Sequence, residues 1–168
     1  MGLFWFRAFL SHSSGDAGLV RALQTHVAGV GIEIYLAEHD VRPGKELSSK
    51  VQQQIEACNA VIVLLTASGA DSAYVQQEIG YALKSGNPVI PLVEHGLPVQ
   101  KLAMLNGKEY IELDPDKPDA ALRKASEYLQ RLKGRKDFID AAMATLIIAG
   151  IIYLWSSGEG GVPSLPSA

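Results

Sequence analysis

The stretch that most narrows the fold is Ala60 to Leu65, read A-V-I-V-L-L. Its consecutive apolar residues offer no polar face to water. Such a run is the signature of a strand buried on both sides, the situation of a central strand in a parallel sheet. Parallel neighbours must be joined by crossover connections, usually helices.

The rest of the chain supplies them. Leu3 to Leu10 is apolar and aromatic-rich and reads as a buried first strand, ending in the polar cluster Ser11 to Asp16. A helix is predicted from about Ala17 to Val27, with Leu19, Val20, Leu23 and Val27 on one side and Gly29 and Gly31 closing it. Ile32 to Leu36 is a short second strand. The polar loop Ala37 to Glu46 follows, with Pro43-Gly44 marking a turn. Leu47, Val51 and Ile55 outline an amphipathic helix reaching Ala57, and Thr66 to Asp71 reads as a loop. The next helix opens at Ser72 or Asp71, either able to cap it, and stops at Gly86-Asn87. Pro88 to Val93 is a fourth strand, Val99 to Met104 a short helix, and Glu109 to Leu113 an edge strand. Leu122, Ala125, Leu129 and Leu132 lie on the last helix of the domain. Strand and helix alternate five times. The fold class is therefore α/β: a flavodoxin-like, five-stranded parallel sheet with helices on both faces.

Ligands of such sheets bind beyond the carboxyl ends of the strands. Three segments emerge there: Ser11 to Asp16, Ala37 to Glu46, and Thr66 to Glu78. In the last, Val75, Ile79 and Leu83 recur at i, i+4 and i+8 and share one buried stripe. Tyr74 and Glu78 are also four apart, on the neighbouring stripe, so a ring and a carboxylate stack one turn apart at its border. That pair suits a planar, sugar-bearing ligand: the ring stacks, and the carboxylate takes hydroxyls or stabilises positive charge. A solvated glutamate beside a half-buried tyrosine would leave the same pattern.

Composition removes other classes. The length of 168 residues suits one domain with an appendage, and a hydrophobic share of 48% suffices for its core. A formal net charge of −3, with no long basic run before the C-terminal region, gives little support to a nucleic-acid partner. Cys58 is the only cysteine, which excludes an intramolecular disulfide and a thiolate cluster. His12, His26, His39 and His95 lack metal-ligand spacing, so neither a metal nor another cofactor is expected. Ser11 to Asp16 is not G-x-G-x-x-G, which weighs against a nucleotide-binding regulator of flavodoxin type. No signal peptide is expected, because Arg7 interrupts the first apolar run. Nor is myristoylation, because Phe6 stands where Ser or Thr is needed.

Four motifs in order carry a family resemblance: F-L-S-H-S-S at Phe9 to Ser14, A-E-H-D-V-R-P-G at Ala37 to Gly44, A-V-I-V-L-L-T at Ala60 to Thr66, and S-A-Y-V-Q-Q-E-I-G-Y-A at Ser72 to Ala82. From Met1 to Leu132 the chain resembles a Toll/interleukin receptor (TIR) domain, most similar to the prokaryotic branch. The resemblance implies five parallel strands. It also implies that the Pro-Gly loop, with Arg42, Pro43 and Gly44, serves domain assembly and gating. Many members cleave NAD at the nicotinamide–ribose bond with one glutamate on the helix after the third strand, and Glu78 matches it. Tyr74 matches an aromatic position that is often Trp, and Ser11 matches the family's first-loop serine. The candidate site is thus Glu78 as the catalytic residue, with Phe9, Ser11, His12, Asp40 and Tyr74 as substrate-binding residues. NAD would be a substrate rather than a cofactor. The implied activity is that of an NAD hydrolase or ADP-ribose cyclase in antiphage or stress defence, activated by TIR self-association. The rival is a non-catalytic TIR scaffold, which has no need of a carboxylate at position 78.

Beyond Leu132 the composition changes. Residues 133–137 begin with the basic cluster Lys133-Gly134-Arg135-Lys136 and read as a juxtamembrane linker. Phe138 to Trp155 is apolar except for Asp140 near its start. As a helix it would span roughly 27 Å, close to the ~30 Å hydrocarbon thickness of a bilayer. Tyr153 and Trp155 lie at the far end, where interfacial aromatics concentrate. A transmembrane helix over 138–155 is expected, with the TIR domain on the cytoplasmic side and a disordered tail over 156–168. The alternative is a soluble protein whose last helix packs on the domain. Ala141, Thr145 and Ala149 form a small-residue stripe suited to helix–helix contact in lipid.

Overall fold

A computed structural model describes residues 6–36 and 49–158. Five strands alternate with helices in chain order: β1 (Phe6–Ser11), α1 (Ala17–Val27), β2 (Ile32–Leu36), α2 (Ser49–Ala57), β3 (Ala60–Leu65), α3 (Ala67–Ala70), α4 (Ala73–Ser85), β4 (Val89–Glu94), β5 (Ile111–Leu113) and α5 (Asp119–Gly158). Short 3-10 segments stand at Ser14–Asp16 and Val99–Leu105. The strands form one parallel sheet in the order β2-β1-β3-β4-β5, the doubly wound arrangement expected from the alternation.

β3 is buried at every position, as its unbroken apolar run demands. Its pleat sends alternate side chains to opposite faces. Val61, Val63 and Leu65 join Phe9 of β1, Ile55 of α2, and Val75 and Ile79 of α4 in one core layer. Ala8, Leu10, Ile62, Leu64 and Leu92 point the other way and are fully buried too. That second face is closed by Val20, Leu23 and Val27 of α1 and by Leu122, Ala125 and Leu129 of α5. The Ser126 hydroxyl donates to the His26 carbonyl at 3.3 Å and ties α5 to α1. Each such buried aliphatic side chain contributes about 1.5–3 kcal/mol, so the two layers dominate the stability of the sheet.

Several details differ from the sequence expectation, among them β5, which begins at Ile111 and not at Glu109. Thr66 to Asp71 is not a plain loop: Thr66 caps the single-turn α3 by accepting from Gly69 N at 3.2 Å. β4 starts one residue later and runs to Glu94, because Pro88 has no N–H for the ladder. Residues 133–137 are helical rather than a linker. Lys133 Nζ bonds Asp137 Oδ2 at 2.9 Å and Lys136 bonds Asp140, two i,i+4 pairs that support the turn through Gly134.

The chain forms two compact units, divided between Arg131 and Leu132. In the second unit the helix continues to Gly158, so Ser156 and Ser157 are helical and not tail. Every residue from Ala141 to Ser157 is exposed. This helix contains an 18-residue window of mean hydropathy 2.0, of which 0% is buried.

Candidate active site

α4 places the central residue. Ser72 accepts from Val75 N at 3.4 Å at its N-terminus, and Gly86, in the left-handed conformation at φ 79°, ends it. Between these caps Val75, Ile79 and Ala82 are buried on the core stripe. Glu78 is buried with them, at 1% exposure. Its partner comes from the sheet. The hydroxyl of Ser11, the last residue of β1, donates to Glu78 Oε2 at 2.5 Å across 67 residues of sequence. An O–H···O bond of that length is typical of a hydroxyl donating to an ionised carboxylate. A buried carboxylate held by a hydrogen bond is what an electrostatic catalyst requires, because surrounding water no longer weakens its field.

The other expected site residues divide. Tyr74 sits one turn before Glu78 but is 43% exposed, so ring and carboxylate do not share a burial environment. His12 is half-buried, with Nδ1 at 3.2 Å from the Leu10 carbonyl, one residue past Ser11. Phe9 is part of the core. Its side chain is fully buried and stacks on Tyr35 with ring centroids 5.9 Å apart, because position 9 falls on the core face of β1. Ser11, two residues on, faces the same side and is also fully buried, so its hydroxyl is committed to Glu78. Asp40, Arg42, Pro43 and Gly44 lie outside the described residues.

A second polar cluster was not anticipated. Asp16, 5% exposed, accepts four hydrogen bonds. Oδ2 takes Ser13 N at 3.0 Å and Ser13 Oγ at 2.9 Å, and Oδ1 takes Thr66 Oγ1 at 2.8 Å and Ser68 Oγ at 3.1 Å. The S-x-x-D spacing from Ser13 to Asp16 is the signal that could have revealed it, since that spacing lets a carboxylate reach back to the capping residue's N–H. Beside it, Glu94 Oε2 accepts from Ala67 N at 2.6 Å. A cavity of about 470 Å³ opens there, lined by residues that include Asp16, Leu19, Ser68, Glu94 and Pro118. Neither Glu78 nor Tyr74 lines it. Asp16 spends its oxygens on closing the β1 and β3 ends together, which marks the cluster as a structural clamp.

Around α4 two further contacts were not foreseen. Lys101 forms an ion pair with Asp71, joining the 3-10 segment Val99–Leu105 to the approach to α4. Gln76 Nε2 donates to the Ala70 carbonyl at 3.1 Å, while its buried Oε1 has no hydrogen-bond partner among the described residues. No group of three or more His, Cys, Asp or Glu able to hold a metal occurs among the described residues. Burial pushes the Cys58 thiol up from 9.0 to about 11, with the Arg7 guanidinium opposing and Glu33 adding.

Comparison with known proteins agrees with this geometry. A family model described as TIR domain matches residues 8–126. The chain is 25% identical over 125 residues to a protein of Brachypodium distachyon named probable 2′ cyclic ADP-D-ribose synthase BdTIR, covering 71% of this chain and 56% of that protein. It is 23% identical over 115 residues to the probable 3′ cyclic ADP-D-ribose synthase ThsB′ of Bacillus cereus strain MSX-D12, covering 64% of this chain and 58% of that protein. The chain thus spans little more than half the length of these two relatives. Among solved structures, the TIR domain of the Toll-related receptor TRR-2 from Hydra magnipapillata superposes with a TM-score of 0.56 at 18% identity. That superposition covers 73% of this chain and 97% of the receptor domain. With the parallel sheet, the strand order and a family match over residues 8–126, this chain belongs to the TIR domain family.

Proposed function

We propose that this chain cleaves NAD at the nicotinamide–ribose bond, with Glu78 as the catalytic carboxylate. The observation that carries the reading is the burial of Glu78 on α4 with Ser11 bonded to it, in a family whose matched relatives are named as probable cyclic ADP-ribose synthases. In this reaction the bond from ribose C1′ to the pyridinium nitrogen breaks, and its electron pair leaves with nicotinamide. The leaving ring becomes neutral, so no acid has to protonate it. Positive charge develops on the ribose, as in glycoside hydrolysis, and a buried carboxylate stabilises it. Water then adds to C1′ and loses a proton, giving ADP-ribose. Alternatively, a ribose hydroxyl at the adenosine end adds and loses its proton, giving a cyclic product. NAD is the substrate, and the scheme uses no further cofactor.

At 1% exposure the carboxylate is closed to substrate in the conformation described. That supports a resting state which self-association opens, with Tyr74 stacking on the substrate once it enters. The exposed apolar helix supports a membrane anchor, with the Lys133-Gly134-Arg135-Lys136 cluster holding the TIR domain on the cytoplasmic side. Within the span, the Thr145 hydroxyl bonds the Ala141 carbonyl one turn back, which suits lipid surroundings. A role in prokaryotic defence through NAD consumption fits this arrangement. The same enclosure of Glu78 also suits a non-catalytic assembly module.

One experiment separates the two. The full chain is incubated with NAD at high protein concentration, and the products are identified by mass spectrometry for wild type and Glu78→Gln. Nicotinamide release that disappears in Glu78→Gln supports the enzyme. Equal release from both proteins removes Glu78 from the catalytic role, and no release from either leaves the assembly module standing.

A further inference from the structure

We infer that Ser11 is a positioning residue for Glu78, acting through the carboxylate and not by touching substrate. The inference rests on the catalytic reading of Glu78 given above and assigns how that residue is held.

Ser11 and Glu78 belong to elements with no covalent reason to meet. Ser11 ends β1, where it is in register with Val63 of β3. Glu78 lies in the second turn of α4. β3 flanks Ser11 on one side, and the residue before it, Leu10, pairs with both Leu36 of β2 and Ile62 of β3. The Ser11 hydroxyl therefore points from a rigid platform at one carboxylate oxygen, 2.5 Å away. Ser11 is fully buried, and its hydroxyl hydrogen is committed to Glu78.

A glutamate has three side-chain torsions, and on a helix those torsions sweep the carboxylate over several positions. A short bond to a fixed donor favours one of them. The same bond stabilises the charged form of a carboxylate whose burial otherwise favours the neutral form. Both effects serve a group whose task is to meet positive charge developing on a ribose. Neither requires Ser11 to approach the ribose.

The alternatives leave different kinetic marks. A residue that binds substrate raises KM when removed, with kcat kept. A residue that only shapes the catalytic group lowers kcat and leaves KM nearly unchanged. A latch that keeps the carboxylate closed in the resting state would raise activity when removed.

The experiment measures nicotinamide release by the full chain under assembled conditions for wild type, Glu78→Gln, Ser11→Ala, Ser11→Cys and Ser11→Thr. A thermal melt of each variant reports its fold. Ser11→Ala should lower kcat about 10- to 100-fold with KM within about twofold, the size expected from losing one hydrogen bond to a charged group. Ser11→Thr keeps the donor and should restore kcat to within about threefold of wild type on the same scale. Where Ser11→Ala fails to fold, Ser11→Cys, a similar shape with a weak donor, takes its place and should fall between Ala and wild type. A rise in KM at constant kcat, a gain of activity, or a Ser11→Thr variant as slow as Ser11→Ala would each overturn the inference. If Glu78→Gln turns over like wild type, the catalytic reading itself fails, an outcome distinct from the failure of Ser11 alone.

Discussion

The Thr66 hydroxyl donates to Asp16 Oδ1 at 2.8 Å, so the residue after β3 is tied to the residue before α1. This joins the two central strand ends on which the candidate site is built. Removing Asp16 takes four hydrogen bonds out of a buried cluster and leaves Ser13 N without its acceptor, while the hydroxyls of Ser13, Thr66 and Ser68 keep one another. Asp16→Ala should therefore lower stability by about 2–3 kcal/mol. Urea denaturation checks this, with a reduced midpoint at unchanged slope.

Tyr74 offers the opposite case. It is exposed on the first turn of α4, so its removal should cost less than about 0.5 kcal/mol of stability. If the ring stacks on the substrate, Tyr74→Ala should raise KM for NAD about tenfold, a loss in the range of one aromatic contact. Steady-state kinetics beside a thermal melt gives both numbers. An unchanged KM removes Tyr74 from the site.

Cys58 makes a pH prediction. Its pKa is raised from 9.0 to about 11 by burial. A thiol kept neutral in the folded state contributes stability that is fully present below 9.0 and is lost as pH rises through about 11. Wild type should lose urea resistance across that window more steeply than Cys58→Ala. At neutral pH the native thiol should resist alkylation by iodoacetamide and react only on unfolding.

Gly86 terminates α4 in the left-handed conformation, with nothing within 4 Å of a Cβ built on it. The cost of a side chain there is conformational and not steric. Gly86→Ala should destabilise by about 1 kcal/mol, read from the denaturation midpoint, with catalysis by the folded fraction unaltered.

The C-terminal helix predicts a fractionation result. With every residue from Ala141 to Ser157 exposed, the full chain should sediment with membranes and resist carbonate extraction. Recovery as a detergent-independent soluble monomer would rule the anchor out.

The sheet was legible because its strongest signals are local. The apolar run of β3 and the helical spacing of Val20, Leu23 and Val27 state burial outright, while Leu19 beside them is half-buried. α1 and β2 fall where the periodicity and the glycines put them. α3 was hidden because a single turn has no period to read, and its cap, Thr66, is equally at home in a loop. The continuity of the helix through Gly134 was hidden because a basic cluster with a glycine looks like punctuation, whereas the acids one turn later pair with its lysines. At the site, the i,i+4 spacing of Tyr74 and Glu78 was correct, but spacing does not report depth: one is exposed and the other enclosed. Phe9 and Ser11 share a face of β1, yet only the fold reveals that this face meets α4. The Asp16 clamp depends on Thr66 and Ser68, far along the chain, and no local pattern joins them.

The separation between Ser11 and Glu78 also constrains when a competent site can exist. β1 is made first, but its hydroxyl finds its acceptor only after α4 has been synthesised and docked on the sheet. Contacts between residues so distant in sequence form late, because the intervening chain must first be ordered. A nascent chain released before Ser85 would hold the serine without a complete helix to present the glutamate. A cell translating this protein would thus be shielded from its proposed NAD-destroying chemistry until the central layers have closed.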